Sequence, residues 1–269
     1  MFLWQGVAFL IMVIRTQLHG PVPVFFTCMQ TPSPLDNVSI ILVDTKTPAN
    51  IGAVARCMMN TGLSRLLLVA PRKAVDSESF KLAAGADEIL ERSVTYPGLR
   101  DAVSGHGLVI GASRHSGKRR KNVITPRELA ERVLPLLASN KVALVFGNEV
   151  SGLDLPDIAL CHELVAIPTA DAFPSLNLSH AVMVIAYELF RASLKPVPPS
   201  SLELAPTEDL EYFYTHLQRT LRAIGFLGDE NAERMLFSLR QLFGRARLDS
   251  RDISILRGIL NCIDKKGKF

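Results

Sequence analysis

The stretch DNVSIILVDTKTPANIGAVARCMMNTGLSRLLLV, residues 36–69, decides the fold. Residues 38–43 form a nearly unbroken apolar, β-branched run, as expected of a strand covered on both faces. Thr47 then suits a helix cap, Pro48 the first helical position and Gly62 the stop. Between them Ile51, Val54, Ala55 and Met58 recur at helical spacing and make one apolar stripe. At roughly 100° per residue, Arg56 lies about 150° from the centre of that stripe and points away from the core. A second apolar run, 66–69, follows, and strand–helix–strand in this order is the unit of a parallel sheet.

Further outward, residues 108–110, 142–146 and 164–167 are strand candidates. A helix over 176–194 carries Leu178, Ala181, Val182, Ile185 and Leu189 on one face. The alternation predicts an α/β domain over 36–194, a mostly parallel sheet with helices on both faces. Lys195-Pro-Val-Pro-Pro-Ser-Ser cannot continue a helix and reads as a semi-rigid linker over 195–206. Beyond it only helical stripes remain: Leu210, Phe213, Tyr214, Leu217, Leu221 and Ile224; then Leu236, Leu239, Leu242 and Phe243; then Ile253, Leu256, Leu260 and Ile263. They predict a small all-helical domain over 207–269. Its charge is polarised, with two basic and seven acidic residues over 203–233 against nine basic and three acidic over 234–269. The basic end suits phosphate contact or a solvated helical face.

With 48% hydrophobic and 21% charged residues, the 269-residue chain is neither disordered nor fibrous in character. Its formal net charge of +4 permits an acidic partner without requiring one. Cys28, Cys57, Cys161 and Cys262 form no C-x-x-C pair and have no histidine at ligand spacing, so neither a disulfide framework nor a metal site is expected, and a reducing cytoplasm is. The longest apolar run of the first thirty residues, 7–14, is shorter than the roughly 18 to 20 residues of a membrane span. No Lys or Arg precedes that run and no small-x-small cleavage site follows it, unlike a signal peptide. Residues 1–35 are therefore expected to be a disordered extension or a start-site artefact, with Met29 as the natural start.

Several familiar patterns fail. Gly111-Ala-Ser-Arg-His-Ser-Gly117-Lys118-Arg119 has one residue too many between its glycines for a P-loop, and Arg119 stands where Ser or Thr would hold magnesium. No G-x-G-x-x-G follows the first strand. His162-Glu163 lacks the second histidine of a zinc-protease helix, and Ser151 lies outside a G-x-S-x-G elbow.

Three segments survive, each at the end of an expected strand, where open α/β sheets bind ligands. They are Thr47-Pro-Ala-Asn50-Ile-Gly52-Ala-Val-Ala-Arg56, Phe146-Gly147-Asn148-Glu149-Val-Ser-Gly152-Leu153, and Ile167-Pro168 through Phe173-Pro174-Ser175-Leu176-Asn177-Leu178. In this order and spacing they resemble the signature motifs of the SpoU branch of the SPOUT RNA methyltransferases. Asp209-Leu-Glu-Tyr-Phe-Tyr-Thr-His-Leu, Leu242-Phe-Gly-Arg-Ala-Arg247 and Ile255-Leu-Arg-Gly-Ile-Leu260 further resemble the C-terminal extension of a subgroup that methylates tRNA. The resemblance spans about residues 37–266. Motif two departs from it in reading Gly-Asn-Glu where these relatives often carry Gly-Arg-Glu, which bears on the RNA grip rather than on the reaction type.

The resemblance implies a C-terminal trefoil knot in the α/β domain, a homodimer, S-adenosylmethionine as cofactor and tRNA as partner. The reaction implied is 2′-O-methylation of ribose, at the pyrimidine of position 32 in the anticodon loop. The same reaction on ribosomal RNA, and a non-catalytic RNA-binding protein of this fold, are the alternatives. The implied cofactor contacts are Ala112, Ser113, Arg114, Gly147, Ile167, Pro174, Ser175 and Leu176, largely through backbone groups. Arg56, Ser175, Asn177 and Glu149 are the implied catalytic group, with no metal. Arginine stays protonated, so Arg56 suits gripping phosphate and polarising the hydroxyl better than removing its proton. Three of them have a plainer reading: Arg56 as a surface ion-pair residue, Asn177 as a helix cap, and Glu149 as a turn carboxylate, a brace or the partner of an arginine of the second subunit. Asn50, Arg56, Arg114, Lys118, Arg119, Arg120 and Lys121 are the expected RNA contacts, Asn50 by holding a phosphate near the helix start and the five basic residues within 114–121 as a loop beside the cofactor.

Overall fold

The computed structural model describes residues 33–113, 123–228 and 230–267. The chain runs β1 (Val38–Val43), α1 (Pro48–Asn60), β2 (Arg65–Val69), α2 (Ser77–Ala83), α3 (Asp87–Glu91), β3 (Val94–Tyr96), α4 (Leu99–Val103), β4 (Leu108–Ala112), β5 (Val123–Ile124), α5 (Pro126–Val133) and β6 (Val142–Phe146). It continues through α6 (Leu155–Leu160), β7 (Glu163–Val165), α7 (Leu178–Ser193), α8 (Thr207–Ala223), α9 (Ala232–Ala246) and α10 (Ser250–Gly267). Among the described residues the strands form one seven-stranded sheet in the order β3-β2-β1-β6-β4-β7-β5, parallel at every pairing. Ile40 sits opposite both Leu66 and Leu144, which fixes the register at the sheet centre.

All six residues of β1 are buried, because helices cover both faces. Ile40 and Leu42 face a core shared with Ile51, Val54, Ala55 and Met58 of α1 and with Val182, Ile185 and Leu189 of α7. Ile41 and Val43 point the other way, against Leu99, Ala102 and Val103 of α4 and Ile158 of α6. The alternation follows from the two-residue period of a strand. Gly52 is needed where α1 meets α2: a Cβ there would lie 2.0 Å from the Ser79 carbonyl oxygen.

The structure shifts several expected boundaries. β2 begins at Arg65 and β4 extends to Ala112, while the strand expected over 164–167 is β7, Glu163–Val165. Its ladder ends at Val165, where both neighbouring strands stop, so Ile167 falls in the following loop. β3 and β5 carried no sequence signal because they are three and two residues long and lie at the sheet edges. The segment 195–206, expected as a semi-rigid linker, is a strap held by hydrogen bonds. Buried Asn140 donates through Nδ2 to the Leu202 carbonyl at 2.8 Å and accepts from the Leu204 amide at 2.7 Å. Ala205 is fully buried.

Beyond the strap, the described residues form helices and no strand. Phe213, Tyr214 and Leu217 of α8 pack with Ile253 and Leu260 of α10, and Phe243 of α9 meets Phe213 edge-on at 5.1 Å. Ile224 and Leu242, expected in these stripes, are exposed: Ile224 is the cap residue after α8, and Leu242 is turned about 100° from Phe243. Two buried carboxylates fasten these helices to the α/β part of the chain. Glu211 pairs with Arg240 of α9 and Arg100 of α4. Glu163 of β7 accepts from Arg247 at 3.0 Å and pairs with Arg132 at 3.4 Å. His162 is a buried structural residue whose Nδ1 accepts from the Val109 amide, and burial pushes it down to about 4. Among the described residues no helix is long and apolar enough to cross a membrane. The expectations for the first 32 residues lie outside the described residues.

Candidate active site

The three polar segments meet at the C-terminal edge of the sheet. The chain leaves β1, β6, β4 and β7 on this side, and the segments after β6, β4 and β7 enclose a cavity of about 310 Å³, within the range of small-molecule pockets. Ala112 and Ser113 line it from β4, residues 146–153 from the turn after β6, and Val165, Ile167 and Thr169 from the chain after β7. Pro174, Ser175 and Leu176 close it before α7, whose Leu178 and Ala181 form part of the wall. Of the eight implied cofactor contacts, seven thus surround one cavity. The eighth, Arg114, lies outside the described residues, as do Lys118, Arg119, Arg120 and Lys121.

Gly147 is fixed by close approach rather than by its dihedral angles. A Cβ there would stand 2.0 Å from the carbonyl carbon of Gly152 and 2.2 Å from the Leu153 nitrogen. The neighbour that requires a glycine here is the chain's own turn. Asn148 builds that turn: its Oδ1 accepts from the amides of Val150 at 3.0 Å and Ser151 at 2.9 Å, and its carbonyl accepts from Gly152. Gly152 completes the turn with φ of 73°. The Asn-x-x-x-Gly pattern was the available signal for it.

Glu149 is the hub that joins the segments. Its Oε2 accepts from the Lys46 amide at 3.0 Å, and its Oε1 from the Thr47 hydroxyl at 2.8 Å, the Asn50 amide group at 2.7 Å and the Thr47 backbone at 3.3 Å. Burial raises its pKa, but the hydrogen bonds from Asn50, its own amide, Lys46 and Thr47 outweigh this and hold the carboxyl below its ordinary value. Thr47 accordingly does not cap α1 with its side chain. Its hydroxyl donates to Glu149, and the carboxylate of a distant loop meets the helix start, where negative charge is favoured.

Asn50 donates to Glu149 and to the Thr47 hydroxyl, and its Oδ1 accepts from Asn177 Nδ2 at 3.1 Å. Its side chain is therefore engaged within the protein instead of pointing at solvent. Asn177 is a helix cap: its Oδ1 caps α7 by accepting from the Ser179 amide and hydroxyl, each at 2.8 Å, while its Nδ2 donates to Asn50 of motif one. Ser179, invisible as a site residue in the sequence, thereby sets the orientation of Asn177. Ser175 and Glu149 line the cavity, whereas Arg56 is an exposed residue of α1 and is not among the lining residues. Among the described residues, no group of three or more His, Cys, Asp or Glu is placed to hold a metal ion.

Comparison with known proteins gives a consistent picture. The model of the SpoU rRNA Methylase family matches residues 37–187, and that of the tRNA methyltransferase TrmJ C-terminal domain matches residues 208–268. The chain is 39% identical over 236 residues to the tRNA (cytidine/uridine-2′-O-)-methyltransferase TrmJ of Pectobacterium atrosepticum, covering 86% of this chain and 98% of that one. It is equally similar over 240 residues to the enzyme of the same name from Escherichia coli K12, covering 87% and 98%. Among solved structures, TrmJ from Z. mobilis ZM4 superposes with a TM-score of 0.73 at 32% identity, over 84% of this chain and 98% of that one. A probable methylase family protein from Haemophilus influenzae Rd KW20 gives 0.58 at 33% identity, over 86% and 97%.

Proposed function

The chain belongs to the SpoU rRNA Methylase family, and from that premise we propose that it methylates the ribose 2′-hydroxyl of a tRNA pyrimidine, at position 32 of the anticodon loop, with S-adenosylmethionine as donor. The observation that carries this reading is one cavity walled by motifs two and three, with motif one joined to them through the hydrogen bonds of Asn50 to Glu149 and Asn177. Similarity to tRNA 2′-O-methyltransferases extends through the C-terminal helices, which favours tRNA over ribosomal RNA.

The lining suits S-adenosylmethionine. It combines apolar walls from Leu153, Ile158, Val165 and Leu178 with backbone groups of the loops, and among the described residues its one charged side chain is the carboxylate of Glu149, compatible with a sulfonium cation. When bound there, the cofactor supplies an electrophilic methyl group. The protein's task is then alignment and charge management at the sugar oxygen. Arg56, always protonated, grips the RNA phosphate and polarises the hydroxyl. Ser175 and Asn177 position the ribose, with Asn177 locked by Ser179 and Asn50. Glu149, occupied by four donors, braces the motifs rather than taking a proton. Asn50 serves RNA by holding Asn177 in place. The basic residues Arg114, Lys118, Arg119, Arg120 and Lys121 guide the RNA backbone to the cavity.

The same reading includes a trefoil knot in the cofactor-binding part of domain 36–194, a helical domain over 207–269 and a cytoplasmic homodimer. Exposed Val150, Leu155, Phe173 and Leu176 around the cavity supply apolar surface for a second copy. Mass spectrometry of tRNA and ribosomal RNA nucleosides from a deletion strain tests the proposal. Loss of a 2′-O-methylpyrimidine from tRNA is expected; unchanged tRNA with loss from ribosomal RNA overturns it.

A further inference from the structure

Among the exposed ion pairs, Arg72–Asp44 and Arg219–Asp264 join separate elements, the latter α8 to α10. Arg92–Glu88, Arg127–Glu131 and Arg191–Glu188 are pairs three or four residues apart within one helix. Arg72 and Asp44 instead join the loops after β2 and β1, at the sheet edge that carries the cavity. The pair is bidentate, Nε to Oδ1 and Nη2 to Oδ2, the latter at 3.1 Å. The same Oδ2 accepts from Nδ2 of Asn148 at 3.1 Å. Arg72 is thus separated from a cavity-lining residue by one shared oxygen.

The backbone around this pair is held in an unfavourable shape. Asp44 and Ala70 have φ of 53° and 43°, a left-handed conformation that non-glycine residues rarely adopt. Hydrogen bonds from Asp44 to Val69, from Ala70 to Tyr96 and from Arg72 to Thr45 maintain it. Strain retained on the site edge fits placement of a functional group better than an incidental surface contact.

A guanidinium carries five N–H donors, and Asp44 engages the Nε side of this one. Among the described residues no acceptor is bonded to Nη1, and the Arg72 side chain is 65% exposed. We infer that Arg72 is an RNA-contacting residue, preorientated by Asp44 to donate from Nη1 to the sugar–phosphate backbone of the substrate beside the cavity. This deepens the proposed function and rests on it. Asp44 removes the side chain's freedom, so the fork meets a phosphate with little ordering left to lose.

The test compares wild type, Arg72→Ala and Arg72→Lys. tRNA binding is followed by fluorescence anisotropy across a salt series, S-adenosylmethionine binding by calorimetry, and methyl transfer by steady-state kinetics. For Arg72→Ala, tRNA affinity should fall about 5- to 30-fold, and the slope of log affinity against log salt should flatten by about one ion. S-adenosylmethionine affinity should stay within about twofold. Arg72→Lys should restore the slope and part of the affinity, since it keeps the charge but loses the fork. An unchanged slope and tRNA affinity overturns the inference. So does an equal loss of S-adenosylmethionine affinity, which would make Arg72 only a brace for the Asn148 turn. Should Arg72→Ala not fold, Arg72→Gln carries the same slope comparison. Wild-type protein that binds tRNA without transferring methyl overturns the proposed reaction, while the slope still decides the role of Arg72.

Discussion

Replacing Gly147 by alanine adds a single methyl group at the point where motif two turns back on itself. The new Cβ would stand 2.0 Å from Gly152 carbonyl carbon, 2.2 Å from Leu153 nitrogen and 2.3 Å from Gly152 oxygen, whereas real Cβ contacts essentially never fall below 3.0 Å. These neighbours are backbone atoms, so no rotamer change relieves the clash, and the turn must retreat by about 1 Å. It is tied back by Asn148, whose side chain and carbonyl hold Val150, Ser151 and Gly152. Overpacking of this kind costs about 1–3 kcal/mol. Because residues 148–153 also line the cavity, the same displacement should weaken S-adenosylmethionine binding at least tenfold. Gly258→Ala in α10 is the control: its added Cβ meets nothing within 4 Å, and the substitution should stabilise by about 0.5–1 kcal/mol through helix propensity. Urea denaturation measures both variants and calorimetry the cofactor affinity. If Gly147→Ala matched wild type in midpoint and affinity, the steric reasoning about this turn would be wrong.

Glu149→Gln puts an amide N–H against donors whichever way it is turned, and should cost about 1–2 kcal/mol after allowance for partial exposure, with at least tenfold slower transfer. Because the native carboxyl is held below its ordinary value, its stabilisation is complete above about pH 5 and disappears as pH falls through that lowered value. Chemical denaturation of both proteins from pH 7 to 3 should show their difference shrinking towards acid; a constant difference counts against the bonding described for Glu149. Arg56→Ala should abolish methyl transfer while leaving circular dichroism and S-adenosylmethionine binding intact, since Arg56 does not line the cavity; near-normal turnover would remove its assigned role. Asn140→Ala leaves the Leu204 amide and the Leu202 carbonyl without their partner and should cost about 2–3 kcal/mol in a thermal or urea melt. A loss below about 0.5 kcal/mol would mean that the strap is not pinned there.

Much of the fold was legible because parallel strands and amphipathic helices advertise themselves by local period. β1 and β6 begin and end at the expected residues, and the stripe of α1 is buried as its spacing requires. β3 and β5 were not legible, since a strand of two or three residues at an edge needs no apolar run. At 195–206 the sequence was legible only in part for a related reason: a proline-rich segment announces that it is not helical, but says nothing of a buried asparagine more than fifty residues away that holds it.

The sequence by itself determined that three loops rich in polar residues end on the same edge of a sheet, because strand direction and helix phase are properties of a few neighbouring side chains. Only the tertiary structure decided how those residues are employed. Asn50 and Glu149 are 99 residues apart and Asn177 and Asn50 are 127 apart, yet each pair shares a hydrogen bond. That wiring makes Thr47 a donor instead of a cap, turns Asn50 inward and orients Asn177. Hydrogen bonds act over about 3 Å in space and carry no trace in local spacing, so they exist as information only once the chain has closed on itself.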